Sequence, residues 1–492
     1  MSDWDIVLRG GRVIDPESGL DEVRDVAISG ARVAAIGTAL GSARAELDVS
    51  AMVVTAGFID LHSHVNGIPG LRLQALDGVT TALELEAGVS PVDTAYRDAA
   101  AQGRPVNYGF ATSWALARME AVGGISLDGK LGTFLANIAS PAWQRAAAPA
   151  DIGAMLTRMS ADLADGALGI GVLIGYAPGT DPTEYLQVAG LAAEAGVPTF
   201  THARDMIEMV PGAAIDGAEE IVRAAGETGA QMHYCHINST SQRHIDRVLS
   251  LVGRAQAAGG RVSTEAYPYG SGMTGIGAAF LAPERLGERG LTPSSLTYAP
   301  TGERVASEAR LRELRATDPG GLAIIELLNE DDPADRQLLL RSLTFPGAMV
   351  ASDAMPLTWS GPAPDPLSWP LPATAVTHPR TAGTFSRALR MLTRGTGPLE
   401  LAEVLSRCSL LPARLLAERV PAMRRKGRLQ PGSDADIVVF DPATVSDQAT
   451  YAASTRPSTG IRHVLVNGTI VVQNGDIVAG ALPGRPVRAS PR

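Results

Sequence analysis

Two histidines one residue apart close an apolar run, Val53-Val54-Thr55-Ala56-Gly57-Phe58-Ile59-Asp60-Leu61-His62-Ser63-His64. The run reads as a buried β-strand, and side chains at i and i+2 of a strand share a face, so His62 and His64 point the same way from its C-terminal end. Imidazole nitrogens bind zinc at about 2.0–2.1 Å, and two rings on one face converge on an ion if other elements add ligands. Taken alone, the pair also reads as two partly exposed histidines at a strand end. Further residues of metal-binding type close other apolar runs: Glu84 and Glu86 in Thr80-Thr81-Ala82-Leu83-Glu84-Leu85-Glu86, then His202, His236 and Asp353. Individually these have plainer readings, a solvated face for the glutamates, a core position for His202, a helix cap for Asp353. Their shared place at the ends of runs argues for one metal site.

Such a meeting requires a scaffold that gathers strand ends. From about residue 56 to 415, strand-like runs alternate with Ala/Leu/Glu/Arg-rich helical stretches, the rhythm of βα units around a parallel sheet. Strand candidates fall at 58–62, 80–86, 106–112, 166–173, 198–202, 231–236, 261–267 and 348–353, the eight that an α/β (β/α)8 TIM barrel requires. Active sites of such barrels lie at the C-terminal strand ends. Numbered along the mouth, the reading gives His62 and His64 to the first strand, Glu84 and Glu86 to the third, and Gly175-Tyr176-Ala177-Pro178-Gly179 to the fifth. His202 falls to the sixth, His236 to the seventh and Asp353 to the last. Strands covered on both faces tolerate few unpaired charges, which favours a joint role for these residues.

The segment 280–335, with a helical run near 307–316, reads as an insertion or lid after the seventh strand. The proline-rich stretch 362–379 reads as an ordered loop over the mouth. Short β-rich runs at both ends of the chain predict a small β-sandwich domain from 1–55 and 416–492, placed around a barrel domain from 56–415.

Composition narrows the function classes. The 492 residues are 45% apolar and 19% charged, with 42 basic against 52 acidic side chains and a net charge of −10. No basic cluster exceeds Arg424-Arg425-Lys426, which argues against a nucleic-acid partner. Cys235 and Cys408 are the only cysteines, too few for a disulfide framework and in keeping with a reducing compartment. Met1-Ser2-Asp3-Trp4-Asp5 is acidic and lacks a signal-like n-region, and no apolar run of about 18 residues follows, so the expectation is a cytoplasmic protein off the membrane. Lys130 and Lys426 are the only lysines.

The stretches Gly57-Phe58-Ile59-Asp60-Leu61-His62-Ser63-His64, Gly78-Val79-Thr80-Thr81, Thr201-His202-Ala203-Arg204, Glu265-Ala266-Tyr267-Pro268-Tyr269, Ser352-Asp353, His378-Pro379-Arg380 and Leu429-Gln430-Pro431-Gly432-Ser433-Asp434-Ala435-Asp436 resemble the amidohydrolase superfamily. Its N-acyl-D-amino-acid deacylase (D-aminoacylase) branch is the nearer match, over nearly the whole chain. The resemblance implies a TIM barrel with a β-sandwich built from both termini, and amide hydrolysis with one or two zinc ions. Position by position it implies His62, His64, His202 and His236 as ligands and Asp353 as ligand and general base. It implies Tyr176 as the residue that polarises the scissile carbonyl, and Tyr267 and Arg380 as neighbours of the substrate carboxylate.

The chain departs from the family pattern twice. Many relatives bridge two metals through a carboxylated lysine, but neither Lys130 nor Lys426 is at a strand end. The deacylase branch uses a cysteine where this chain has Ala87, so Glu86 is the expected substitute, with Glu84 in reserve; Cys235 is expected in the core. At Asn238 relatives often carry a lysine for the substrate's α-carboxylate, a charge that Arg204, Arg243 or Arg380 would have to replace. The expected activity is removal of the acyl group from an N-acyl-D-amino acid, with N-acyl-D-glutamate suggested by the Glu84-Leu85-Glu86 variant and the D configuration resting on resemblance alone. Alternatives are a cyclic-amide hydrolase of hydantoinase or dihydroorotase type, a nucleobase deaminase, or a non-catalytic scaffold. The expected partner is a small-molecule amide, with no nucleic acid and no membrane; a homo-oligomer is left open.

Overall fold

A computed structural model describes residues 3–359, 361–362 and 364–490. Met1 and Ser2 of the amino-terminal reading, and Ala363 of the proline-rich stretch, lie outside the described residues.

The run from Val53 to His64 divides at Gly57. Val53–Ala56 joins a nine-stranded sheet between Ile437–Phe440 and Trp4–Asp15, whereas Phe58–Asp60 pairs in parallel with Val79–Val89. A Cβ at Gly57 would come within 2.1 Å of Thr80 Cγ2, so the chain passes from one sheet to the other only where the side chain is missing. The nine-stranded sheet takes five strands from before residue 57 and four from Ile437 onward. Leu8, Val26, Ile28, Val54, Ile437, Val439 and Leu465 fill one cluster on it. From Pro483 the chain leaves this sheet for the barrel: Tyr108 accepts from Val487 N at 2.7 Å and Gly166 from Ala489 N at 3.1 Å.

Eight parallel strands form the barrel in sequence order: Phe58–Asp60, Val79–Val89, Asn107–Ser113, Ile170–Val172, Thr199–Thr201, Met232–Tyr234, Val262–Ala266 and Met349–Val350. A bridge between Ser63 and Ala354, with His64 N donating to Ala354 O at 2.8 Å, brings the last strand back to the first. The (β/α)8 expectation therefore holds, but the strand numbering needs correction. Only Phe58–Asp60 precedes Val79–Val89 in the barrel, so Glu84 and Glu86 lie on the second strand. Tyr176 follows the fourth, His202 the fifth and His236 the sixth. Ile59, Leu83, Ala111, Phe200 and Met349, from five of the strands, pack with Leu416, Met423 and Val487, so side chains fill the barrel. Loops leaving the strands end in helix caps, as where Asp216 accepts from Ala218 N and Glu219 N to start Gly217–Thr228.

The insertion after the seventh strand begins earlier than the sequence indicates and is built differently. Ser271–Gly275, Leu322–Glu326, Leu296–Tyr298 and Glu303–Arg304 form a four-stranded antiparallel sheet beside the helix Glu308–Thr317. Glycine and polar residues in Ser271–Gly275 hide that strand from sequence reading, while its ladder to Leu322–Glu326 fixes it. The stretch 362–379 is tied to the helix Ile68–Leu76 and to the strand Thr358–Trp359: Arg72 Nη1 donates to Leu367 O at 2.8 Å, and Trp359 pairs with Ala375. Among the described residues, no helix is long and apolar enough to cross a membrane.

Candidate metal centre

His62 and His64 follow the end of the first strand, and their Nε2 atoms stand 3.1 Å apart. Glu86 Oε2, near the end of the second strand, is 3.1 Å from His62 Nε2 and 3.6 Å from His64 Nε2. Asp353 Oδ1, beyond the eighth, is 3.4 Å from each of these nitrogens. Donor atoms on a tetrahedral zinc at about 2.0–2.2 Å are separated by roughly 3.3–3.6 Å, so the spacing and N/O chemistry of His62, His64 and Glu86 fit the ion, with Asp353 near both imidazoles as a further donor. The other oxygen of Glu86, Oε1, faces a second group, 2.6 Å from His236 Nε2 and 3.2 Å from His202 Nδ1. One carboxylate turned toward two donor groups has the placement that a bridging ligand needs.

Burial alone would raise the Glu86 carboxyl, yet His62, His236 and His202 together hold it well below the usual carboxylate range. Asp353 is likewise held low against its burial, first by Arg380 and then by His62 and His64. His236 and Asp353 also have φ of 32° and 50°, the left-handed region. Such conformations cost non-glycine residues on the order of 1–3 kcal/mol and persist where the surroundings fix them.

The remaining imidazole nitrogens are held from behind. His62 Nδ1 lies 2.5 Å from Glu265 Oε1, whose partner oxygen is 3.0 Å from His233 Nε2, and His233 Nδ1 meets Ser263 Oγ at 2.8 Å. His64 Nδ1 faces both oxygens of Glu84, at 2.9 and 3.0 Å. A carboxylate on one ring nitrogen fixes the tautomer that leaves the other free for a metal. Glu84 therefore stands behind His64, away from both donor groups. Glu265 and His233 escaped the sequence reading, although Glu265 is a carboxylate at the end of a buried strand like Glu86. Cys235 packs in the apolar cluster as expected, but its sulfur also lies within 4.8 Å of His62 and Glu265 donor atoms.

A cavity opens over these groups, and His64, Glu86, His202, His236 and Asp353 are among its lining residues. Tyr176 and Tyr267 enter its wall. The Tyr176 hydroxyl is 2.8 Å from Thr274 Oγ1 and its ring centroid 4.8 Å from that of His202. Burial pushes this phenol well above its ordinary value, so it stays a neutral donor. Arg380 places its guanidinium 4.6 Å over the Tyr267 ring; its Nη2 forms an ion pair with Asp353 Oδ2 at 2.9 Å and donates to Met273 O at 3.4 Å. Tyr267 Oη, Arg380 Nε and Arg380 Nη1 are buried without a hydrogen-bond partner.

Three residues expected near the substrate, Asn238, Arg204 and Arg380, are not among those lining the cavity, although Arg380 contacts Asp353 and Tyr267, which are. Asn238 Nδ2 points to the carbonyls of Tyr267 and Tyr269, at 3.3 and 3.5 Å, and its oxygen accepts from Tyr267 N. Arg204 is paired with Glu220 at 2.7 Å and with Pro178 O. Arg243 is bound by both oxygens of Asp335. Of the three arginines considered as replacements for the missing lysine charge, only Arg380 reaches the site.

The model of the amidohydrolase family matches residues 46–472. The N-acyl-D-glutamate deacylase of Alcaligenes xylosoxydans xylosoxydans is 31% identical, covering 95% of this chain and 93% of its own length. The D-aminoacylase of the same organism is 30% identical over 96% and 95%. A solved N-acyl-D-glutamate deacylase from Bordetella bronchiseptica, complexed with zinc and a phosphonate mimic of the tetrahedral intermediate, superposes with a TM-score of 0.76 at 26% identity over 99% of this chain and 100% of that one.

Proposed function

The chain belongs to the amidohydrolase family, and on that premise we propose that it is a zinc-dependent hydrolase that removes the acyl group from N-acyl-D-amino acids. The observation that carries this reading is Glu86, whose two oxygens face two separate histidine groups on the floor of one cavity. His62, His64, Glu86 and Asp353 would hold one ion, and Glu86, His202 and His236 a second. Zinc, when bound, supplies Lewis acidity toward the amide oxygen and toward water.

The chain's own groups carry the rest. Asp353 takes the proton from the water that adds to the carbonyl carbon and returns it to the nitrogen as the C–N bond breaks, leaving a carboxylate and a free amine. Arg380 orients Asp353 through their ion pair. Tyr176 donates its hydroxyl hydrogen to the developing oxyanion. Tyr267 Oη with Arg380 Nε and Nη1, three buried donors without partners, form the seat for the substrate's α-carboxylate.

The test is product formation by the zinc-loaded enzyme from N-acetyl-D-amino acids, with their L isomers, hydantoin and dihydroorotate as controls. Release of free D-amino acid is expected; turnover confined to the cyclic amides would replace this reading with the hydantoinase type. Asp353→Asn should lower kcat by about 10²–10⁴-fold, and unchanged turnover would remove the base assignment.

A further inference from the structure

The cavity has two kinds of wall. Beside the donor groups the lining is apolar: Phe134 and Leu135 from the helix Leu131–Asn137, Met273, Ile325 and Leu327 from the four-stranded insertion, and Phe280 from the turn Ala279–Leu281, its ring stacked 6.0 Å from that of His202. One guanidinium reaches this side, that of Arg289, and its charge is already answered. Arg289 pairs with Asp205, whose other oxygen takes Arg285 Nη2 at 3.0 Å, and Arg285 Nε meets Glu288 at 3.1 Å. Two guanidiniums and two carboxylates balance, and the Phe280 ring lies 4.3 Å beneath the Arg289 guanidinium. A carboxylate pressed against this wall would lose its water and meet no uncommitted cation. An aliphatic or aromatic group would instead bury apolar surface on both partners.

Resting on the deacylase reading, we infer that the substrate group held against this wall is uncharged and apolar, as in N-acyl derivatives of aliphatic and aromatic D-amino acids, and that Asp205 sets the preference by occupying Arg289. The acidic preference suggested by Glu84-Leu85-Glu86 does not bear on this wall, because Glu86 lies among the donor groups and Glu84 behind His64.

The experiment keeps the acetyl group constant and varies the side chain. For the zinc-loaded enzyme, kcat/KM with N-acetyl-D-leucine and N-acetyl-D-phenylalanine is expected to exceed that with N-acetyl-D-glutamate by about 100-fold or more; equal or greater efficiency with the glutamate derivative overturns the inference. Asp205→Asn, which frees Arg289, should narrow the leucine-to-glutamate ratio by about tenfold, and an unchanged ratio removes Asp205 as the determinant. Calorimetric binding of N-acetyl-D-leucine and N-acetyl-D-glutamate to Asp353→Asn ranks the two without turnover. Tighter leucine binding with no hydrolysis of any acyl amino acid by the wild type would sink the deacylase reading alone; glutamate binding as tightly would sink the apolar wall.

Discussion

Opposite ends of the first barrel strand carry buried charge in two different states of balance. Near its start, where Gly57 N donates to Asp436 O, the Lys426 ammonium lies 3.0 Å from Asp434 and 2.6 Å from Asp436. Arg32 and Arg425 complete the surroundings of Asp434, while Asn107 Nδ2 and Asn467 N donate to Asp436. Each charge there meets its opposite on a side chain. Beyond the other end, Glu84, Glu86, Glu265 and Asp353 face histidines and the single guanidinium of Arg380. Imidazoles have an ordinary pKa of about 6.5, so the carboxylates outnumber the permanent cations in contact with them. Such a deficit requires protons on the histidines or bound cations. The cluster in which every carboxylate meets a permanent cation joins two sheets; the one short of such cations marks where chemistry is done.

Three variants test that contrast, from the largest effect to the smallest. Glu86→Ala strips an oxygen from both donor groups and should cut kcat/KM by about 10³-fold or more, with elemental analysis recording the loss of at least one zinc per chain. Full zinc content with normal turnover would erase the distinction. Lys426→Met leaves the buried Asp436 carboxylate without a cation, so urea unfolding should show a loss of about 3–5 kcal/mol, while zinc content and kcat/KM of the folded protein stay unchanged. Burial would lower the Lys426 pKa, but Asp436 and Asp434 outweigh it and hold it above the ordinary 10.5. Its stabilisation is therefore complete below that ordinary value and is lost as pH rises through the raised one, so variant and wild type should converge in Tm only in strong alkali. Glu265→Gln keeps the shape behind His62 but removes the charge, and chelator competition should read about 10–100-fold weaker zinc binding. Unaltered affinity would make Glu265 a packing residue.

Much of the barrel was legible because its signal is local. Apolar runs of strand length recur between helical stretches, and each barrel strand falls within one of them or overlaps it. The liganding types were legible for the same reason, since histidine or glutamate at the end of such a run is conspicuous. What stayed hidden depends on contacts between distant segments. The division at Gly57 follows from the nearness of Thr80, and the Glu265–His233 support of His62 from how the barrel brings the first, sixth and seventh strands together. Asn238 turned out to be held by the backbone at Tyr267 and Tyr269, and Arg204 by Glu220, partners that no spacing announces. The insertion's first strand was missed because Ser271-Gly272-Met273-Thr274-Gly275 has little strand propensity of its own.

The nine-stranded sheet has a kinetic consequence. Val53–Ala56 finds its neighbour in Ile437–Phe440, segments separated by the entire barrel, so closing this pairing bears the full loop entropy of everything between. During synthesis the early strands must wait, with open edges, for partners made much later. Refolding from denaturant should accordingly be slow and prone to self-association at high concentration, and the barrel should not mature as a separately excised piece.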